Sequence, residues 1–153
     1  LGQRHILFEM GETELICRRL EGDFLDYKNA IPRRNPISVT VDTKAMLESL
    51  DRVSVVISEK LKSPVRCIFE QDRVLLSAKT ANGDAKDVCR IDGDGQGLEI
   101  GFNNRYLMDA LRFAPADELK LELNTGISPA ILVPTDGEES FLYMVLPVRL
   151  KAQ

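Results

Sequence analysis

The chain opens in a strand pattern. Arg4 to Met10 and Thr13 to Leu20 are two apolar-rich runs joined by Gly11-Glu12, which predicts a hairpin. An isolated hairpin is marginal in water, so this one is expected to pack on the downstream residues or to be the edge of a preceding domain. From Asp23 to Pro36 the periodicity is lost. Pro32 and Pro36 bracket Arg33, Arg34 and Asn35, a composition that disfavours helix and predicts an extended connector, with a domain boundary near residue 36.

Beyond the connector the pattern is regular. Ser38 to Val41 reads as a short strand, and Asp42 or Thr43 can cap a helix. In that helix Met46, Leu47, Leu50, Val53 and Ile57 recur at helical spacing, while Lys44, Glu48, Asp51 and Arg52 take the other face. Strands follow at Val65 to Glu70 and Arg73 to Ala78, joined at Gln71-Asp72, and then at Lys86 to Ile91. The alternation of Leu98 to Phe102 predicts a half-buried strand. Asn103 or Asn104 opens a second helix with Tyr106, Leu107, Ala110 and Leu111 inward and Arg105, Asp109 and Arg112 outward, closed by Pro115. Leu119 to Leu123, Ala130 to Val133 and Phe141 to Leu146 are the remaining strands. The order is thus β-α-β-β-β twice over. Few βαβ alternations are available for a parallel sheet, so the expected class is α+β, with antiparallel sheets and both helices on one side.

The last run, Tyr143 to Leu150, adds a question of its own. An apolar strand normally turns back into its sheet, yet Leu146, Pro147, Val148 and Leu150 stand at the end of the chain. An ordered apolar terminus is expected to line something.

Composition narrows the chemistry. At 153 residues, with 44% hydrophobic and 29% charged, the chain can build one good core. It shows no secretory leader and no apolar run near the roughly 18 residues that cross a bilayer, so a cytoplasmic protein without membrane contact is expected. Cys17, Cys67 and Cys89 lack the spacing of a zinc or redox site and read as small buried hydrophobes. His5, the single histidine, has no partner at ligand spacing, which argues against nucleophilic catalysis. The net charge of -4 argues against gripping nucleic acid over the whole surface, but leaves room for a basic stripe on one face. Gly93 to Gly97 carries acidic company and leads into a strand, so it reads as a hairpin turn rather than a phosphate loop.

Three runs together resemble the bacterial sliding clamp family, the beta subunit of DNA polymerase III. They are Glu21 to Tyr27 with Ile31-Pro32, Leu98 to Asn103 with Arg105-Tyr106-Leu107, and Met144 to Leu150; Ser58-Glu59-Lys60 adds to them. The resemblance covers nearly the whole chain. It implies a DNA-clamp fold, with residues 1–35 as the end of a middle domain plus connector, 36–150 as a complete third domain and 151–153 as a tail. The chain would then be a C-terminal fragment. Subunits of this family close head to tail into a ring around duplex DNA and dock the polymerase catalytic subunit, the clamp loader and other clamp-binding proteins in a hydrophobic groove.

The resemblance also assigns residues. Leu25, Asn29, Ala30, Ile127, Pro129, Met144, Leu146, Pro147, Val148, Arg149 and Leu150 supply part of the groove. Lys44, Arg52, Arg105 and Arg112 face DNA, and Val55, Val56, Asp84 and Asp87 lie at the subunit interface. Leu25, Asn29 and Ala30 depart from the residues common at those places, which implies a groove of different shape, and the upstream middle-domain residues that complete it are not in this chain. No cofactor, metal or catalytic residue is implied. From the residues alone, other readings stay open. The charged helix faces can be plain solvated faces with i,i+4 pairs, the valines can be core, and the chain can be a generic interaction domain. Asp84, Asp87, Asp92 and Asp94 can be read as a divalent-metal site of a small enzyme.

Overall fold

The structure is a computed structural model and describes residues 4–57, 63–135 and 141–150. Ser58-Glu59-Lys60 and the tail at 151–153 lie outside these. The chain divides into two units, Leu1–Ala30 and Ile31–Gln153.

In the smaller unit β1 (His5–Met10) and β2 (Thr13–Arg18) pair antiparallel, from Met10 opposite Thr13 to His5 opposite Arg18. Gly11 occupies the two-residue turn at φ +64°, a backbone region that glycine enters without a Cβ clash. The connector is not extended throughout. Tyr27–Ala30 forms one helical turn, α1, where the Asp26 carboxylate accepts a hydrogen bond from Asn29 Nδ2 at 2.6 Å. This local side-chain bond favours a turn over extended backbone, and Pro32 just beyond prevents its growth.

In the larger unit β3 (Ile37–Asp42) buries Ile37, Val39 and Val41 on one face. Asp42 then caps α2 (Thr43–Ser54), its carboxylate accepting from the Ala45 N–H at 2.6 Å. Met46, Ser49, Leu50 and Val53 are buried. The helix stops at Ser54, one turn short of Ile57, where the Ser54 hydroxyl donates to the Asp51 carbonyl at 2.7 Å. Strands β4 (Val65–Phe69), β5 (Arg73–Thr80) and β6 (Gly83–Asp92) complete the first half.

The second half repeats the order: β7 (Leu98–Phe102), α3 (Asn104–Arg112), β8 (Glu118–Leu123), β9 (Ala130–Pro134), β10 (Tyr143–Val145) and β11 (Pro147–Val148). Asn103 caps α3, its side chain accepting from the N–H groups of Arg105 and Tyr106. Two expectations change here. Tyr106 is exposed rather than inward, because Leu107, Met108, Ala110 and Leu111 define the buried arc and Tyr106 falls outside it. β7 is more than half buried, with Ile100, Gly101 and Phe102 all buried, because Leu150 lies over Gly101 on the face away from the core.

The nine strands from β3 onward follow the order β10-β9-β8-β3-β6-β5-β4-β7-β11, and every pair is antiparallel. The halves are interlocked. The leading strand of each pairs with the first strand after the other's helix, β3 with β8 and β7 with β4. The last strand of each half bridges its own hairpin to its own leading strand. β6 pairs with β5 over Gly83 to Arg90 and with β3 at Ile91 and Asp92. Likewise β10 pairs with β9, and β11 pairs with β7 after the single residue Leu146. Of the run predicted as one strand, Phe141 to Leu146, only Tyr143–Val145 is strand; Leu146 interrupts it, and a second strand follows at Pro147–Val148. Both helices lie on one side of this sheet, packed against each other over a core that includes Met46, Leu50, Phe69, Phe102, Leu107 and Leu121. Burying side chains of this size stabilises by about 1.5–3 kcal/mol each.

Candidate functional site

The apolar terminus does rejoin the sheet. Pro147 stands opposite Phe102 and Val148 opposite Gly101, and the antiparallel register carries the chain on toward Glu99. Gly101 permits this. A Cβ there would stand 2.6 Å from the Val148 carbonyl oxygen and 2.7 Å from Leu150 Cδ2, so Leu150 folds directly over a position that has no side chain. The β8–β9 loop reaches the same strand, since a Cβ on Gly126 would stand 2.5 Å from the Glu99 carbonyl oxygen. The loop is pinned by Thr125 and Ser128, whose hydroxyls are 2.7 Å apart, and by the Ser128 N–H to the Thr125 carbonyl at 3.1 Å.

The structure thus brings the loop that carries Ile127 and Pro129 to β7, the strand with which the terminal segment pairs. Ile127 is 73% exposed and Leu146 is 62% exposed, large apolar side chains that the core does not use. Met144, Pro147, Val148 and Leu150 are half-buried, Arg149 is exposed, and Val145 between them is core. Leu25, Asn29 and Ala30 belong to the smaller unit, where all three are exposed. Gly101 and Gly126 were missed as contributors to this surface. A glycine inside an alternating strand was the available signal for close backbone approach at Gly101.

The cations lie on the helix faces turned away from the core. Lys44 is exposed and has no ion pair among the described residues. Arg105 and Arg112 flank Asp109 at 3.9 and 3.7 Å. Arg52 turns toward β6: its Nε lies 2.7 Å from Asp87 Oδ2, and its Nη2 donates to Ser49 Oγ at 3.1 Å. Ser49, a buried polar residue absent from the sequence-based inward face, is explained by this network. Partial burial works against ionisation of Asp87, but hydrogen bonds from the Val88 N–H, Arg52 and Ser49 outweigh it and hold the carboxyl below its ordinary range. A residue assigned to the DNA face and one assigned to the interface are therefore a single ion pair.

Val55 and Val56 follow α2. Val55 is 83% exposed, whereas Val56 is half-buried against the core. The Val56 carbonyl accepts from Thr80 Oγ1 at 3.0 Å, which sets both valines beside the β5–β6 turn, close to Asp84. Along Gly83 to Arg90, β6 bonds only to β5, and its other edge is unpaired among the described residues. Asp84 and Asp87 point to opposite faces of this strand, Asp92 ends it, and the Asp94 carboxylate accepts the Gln96 N–H at 2.8 Å. No three His, Cys, Asp or Glu side chains are placed to hold a metal among the described residues. Cys67 and Cys89 are buried and Cys17 is half-buried, all as free thiols; burial pushes the first two up in pKa. No helix among the described residues is long and apolar enough to cross a membrane.

Comparison with known proteins agrees with this architecture. Residues 28–149 match the family described as DNA polymerase III beta subunit, C-terminal domain. Among curated relatives, the beta sliding clamp of Synechocystis is 34% identical over 147 residues, covering 95% of this chain and 37% of the relative. That of Staphylococcus aureus is 32% identical over 146 residues, covering 94% and 38%. Among solved structures, the DNA polymerase sliding clamp from Caulobacter crescentus superposes with a TM-score of 0.87 at 26% identity, over 98% of this chain and 40% of that one. The Pseudomonas aeruginosa clamp gives 0.86 at 28%, over 98% and 41%. The chain thus spans about 40% of the length of the relatives it matches. With the family match extending over most of its length, this chain belongs to the DNA polymerase III beta subunit family, in the C-terminal domain of that family.

Proposed function

We propose that this chain serves as the C-terminal part of a replicative sliding clamp. The assembled clamp encircles duplex DNA and tethers the DNA polymerase III catalytic subunit, the clamp loader and other clamp-binding proteins. It needs no reaction of its own. In the ring a second subunit meets the chain head to tail at the Val55, Val56 and Asp84 end, where the edge of β6 offers backbone groups unpaired among the described residues.

The DNA-facing surface is the exposed side of α2 and α3. Lys44 offers an ammonium with no carboxylate partner among the described residues, and Arg105 and Arg112 are tempered by the shared Asp109. Arg52 contributes least because Asp87 already neutralises it. Weak, diffuse positive charge suits a protein that must hold DNA without reading it and let it slide, since phosphate contacts carry no sequence information.

The observation that carries the docking assignment is the exposure of Leu146 between two fixed strands, on a terminal segment that shares β7 with the pinned loop carrying exposed Ile127. Aliphatic anchors of a partner peptide would lose water against these side chains and against half-buried Met144, whose thioether adapts to varied shapes. The test is titration of the chain with a clamp-binding-motif peptide from a DNA polymerase III catalytic subunit. Leu146→Asp and Ile127→Asp are compared with the parent. Both positions are exposed, so melting should hardly change while affinity falls at least about tenfold. Undiminished affinity in both folded variants would reject the groove.

A further inference from the structure

The outer face of the β4–β5–β6 sheet, away from both helices, is used by no surface above except at Asp84, at its end. Alternation sends Cys67, Phe69, Val74, Leu76 and Cys89 into the core and leaves their neighbours outside. On that outer side Ile68 stands opposite Leu75 and Leu75 opposite Val88, so three aliphatic side chains form one row across three strands. Val88 is 53% exposed, and the row borders a hollow of about 390 Å³ walled also by Arg66, Lys79, Asp84 and Lys86.

The charge around this row is distinctive. Arg66 is paired with Glu99 and Arg73 with Glu70. Lys79, Lys86 and Arg90, all exposed on the same outer face, have no ion pair among the described residues, and they are set against two carboxylates on that side of β6, Asp84 opposite Lys79 and Asp92 two places beyond Arg90. A chain with a net charge of -4 therefore carries, on one sheet face, an apolar row rimmed by three cations without ion pairs among the described residues against two carboxylates. Pairing of another chain along the β6 edge would leave this face open, since edge bonds lie in the plane of the sheet and Val88 projects out of it.

We propose that this face is a second docking surface, and that its occupant is an acidic protein segment carrying aliphatic anchors. Its leucine-type side chains cover Ile68, Leu75 and Val88, and its carboxylates meet Lys79, Lys86 and Arg90. The aliphatic row favours such a segment over nucleic acid, because phosphates gain nothing from covering an exposed apolar strip. This site is separate from the groove at Leu146 and stands or falls independently of it.

The test is fluorescence anisotropy of the whole chain with a labelled short peptide in which two leucines are flanked by aspartates. Two control peptides replace the leucines by serine or the aspartates by lysine, and an unlabelled DNA duplex serves as competitor. Saturable binding is expected for the acidic leucine peptide alone, weakened at least about tenfold by Val88→Asp and by Lys86→Glu and unchanged by Leu146→Asp. Both variants alter exposed side chains, and a thermal melt confirms that they fold. The proposal is overturned by absence of binding, by binding indifferent to Val88→Asp and Lys86→Glu, or by equal binding of either control peptide. Displacement by the duplex with equal sensitivity to Lys86→Glu would overturn it in favour of a nucleic-acid surface.

Discussion

Replacing Gly101 by alanine puts one methyl group where the terminal segment crosses β7. The new Cβ would meet the Val148 carbonyl oxygen at 2.6 Å and Leu150 Cδ2 at 2.7 Å, against about 3.5–4.0 Å for a comfortable carbon contact. Leu150 can rotate away. The carbonyl cannot, because Val148 is held in register with Gly101 itself, so β11 must lift off the sheet or β7 must bend. Overpacking of this kind typically destabilises by about 1–3 kcal/mol. In a chain of this size each kcal/mol lowers the melting temperature by roughly 2–4 °C, so a fall of about 2–12 °C is expected by differential scanning fluorimetry. Affinity for a clamp-binding peptide should fall too, although no docking side chain has changed. Adding Leu150→Ala separates the two contacts. Because the backbone clash dominates, the double variant should recover little of the loss. A Gly101→Ala chain melting within about 1 °C of the parent and binding peptide normally would refute the close crossing of β7 by the terminus.

Two further outcomes rest on the packing. Asp87→Asn breaks the bond to Arg52; since that guanidinium is more than half exposed, the loss should be about 1 kcal/mol or less in urea denaturation at neutral pH. The folded carboxyl is held below its ordinary value, so its contribution is present above the unfolded pKa of about 3.9 and disappears as pH falls through the folded value. The stability gap between the parent and Asp87→Asn chains should therefore be constant above about pH 4 and shrink as pH falls further, through the lowered folded value; a gap that widens on acidification contradicts the assignment. Removing either helix cap, by Asp42→Ala or Asn103→Ala, should destabilise by about 1 kcal/mol, read from the denaturation midpoint, and the two effects should add.

The elements whose residues speak to near neighbours were legible in the amino-acid sequence. Asp42 and Asn103 cap the helices they precede, the Gly11-Glu12 turn closes its hairpin, and the alternation in Leu119 to Leu123 marks a one-sided strand. What escaped is what depends on distant partners. Leu98 to Phe102 has the alternation of a half-covered strand, yet Leu150 lies over Gly101, and nothing near residue 101 announces the terminal segment that brings it. The break at Leu146 arises because β10 and β11 pair with different strands, a matter of topology that periodicity does not encode. Arg52 read as a free cation on a polar helix face, because Asp87 is thirty-five positions away and becomes its neighbour only when β6 lies along α2. In the candidate groove the identities of the exposed residues were readable, whereas their convergence on β7 rests on Gly101 and Gly126, whose contribution is the absence of a side chain.

Leu146 closes the larger unit through its main chain alone. With Val145 and Pro147 fastened on either flank, the break between the two strands holds whatever side chain it carries. Folding therefore exerts little selection on this position, and under the docking role proposed above, drift there would be heard by visiting ligands before it was felt by the scaffold. A lineage could retune its preference among visitors at this single codon while the architecture remained untouched.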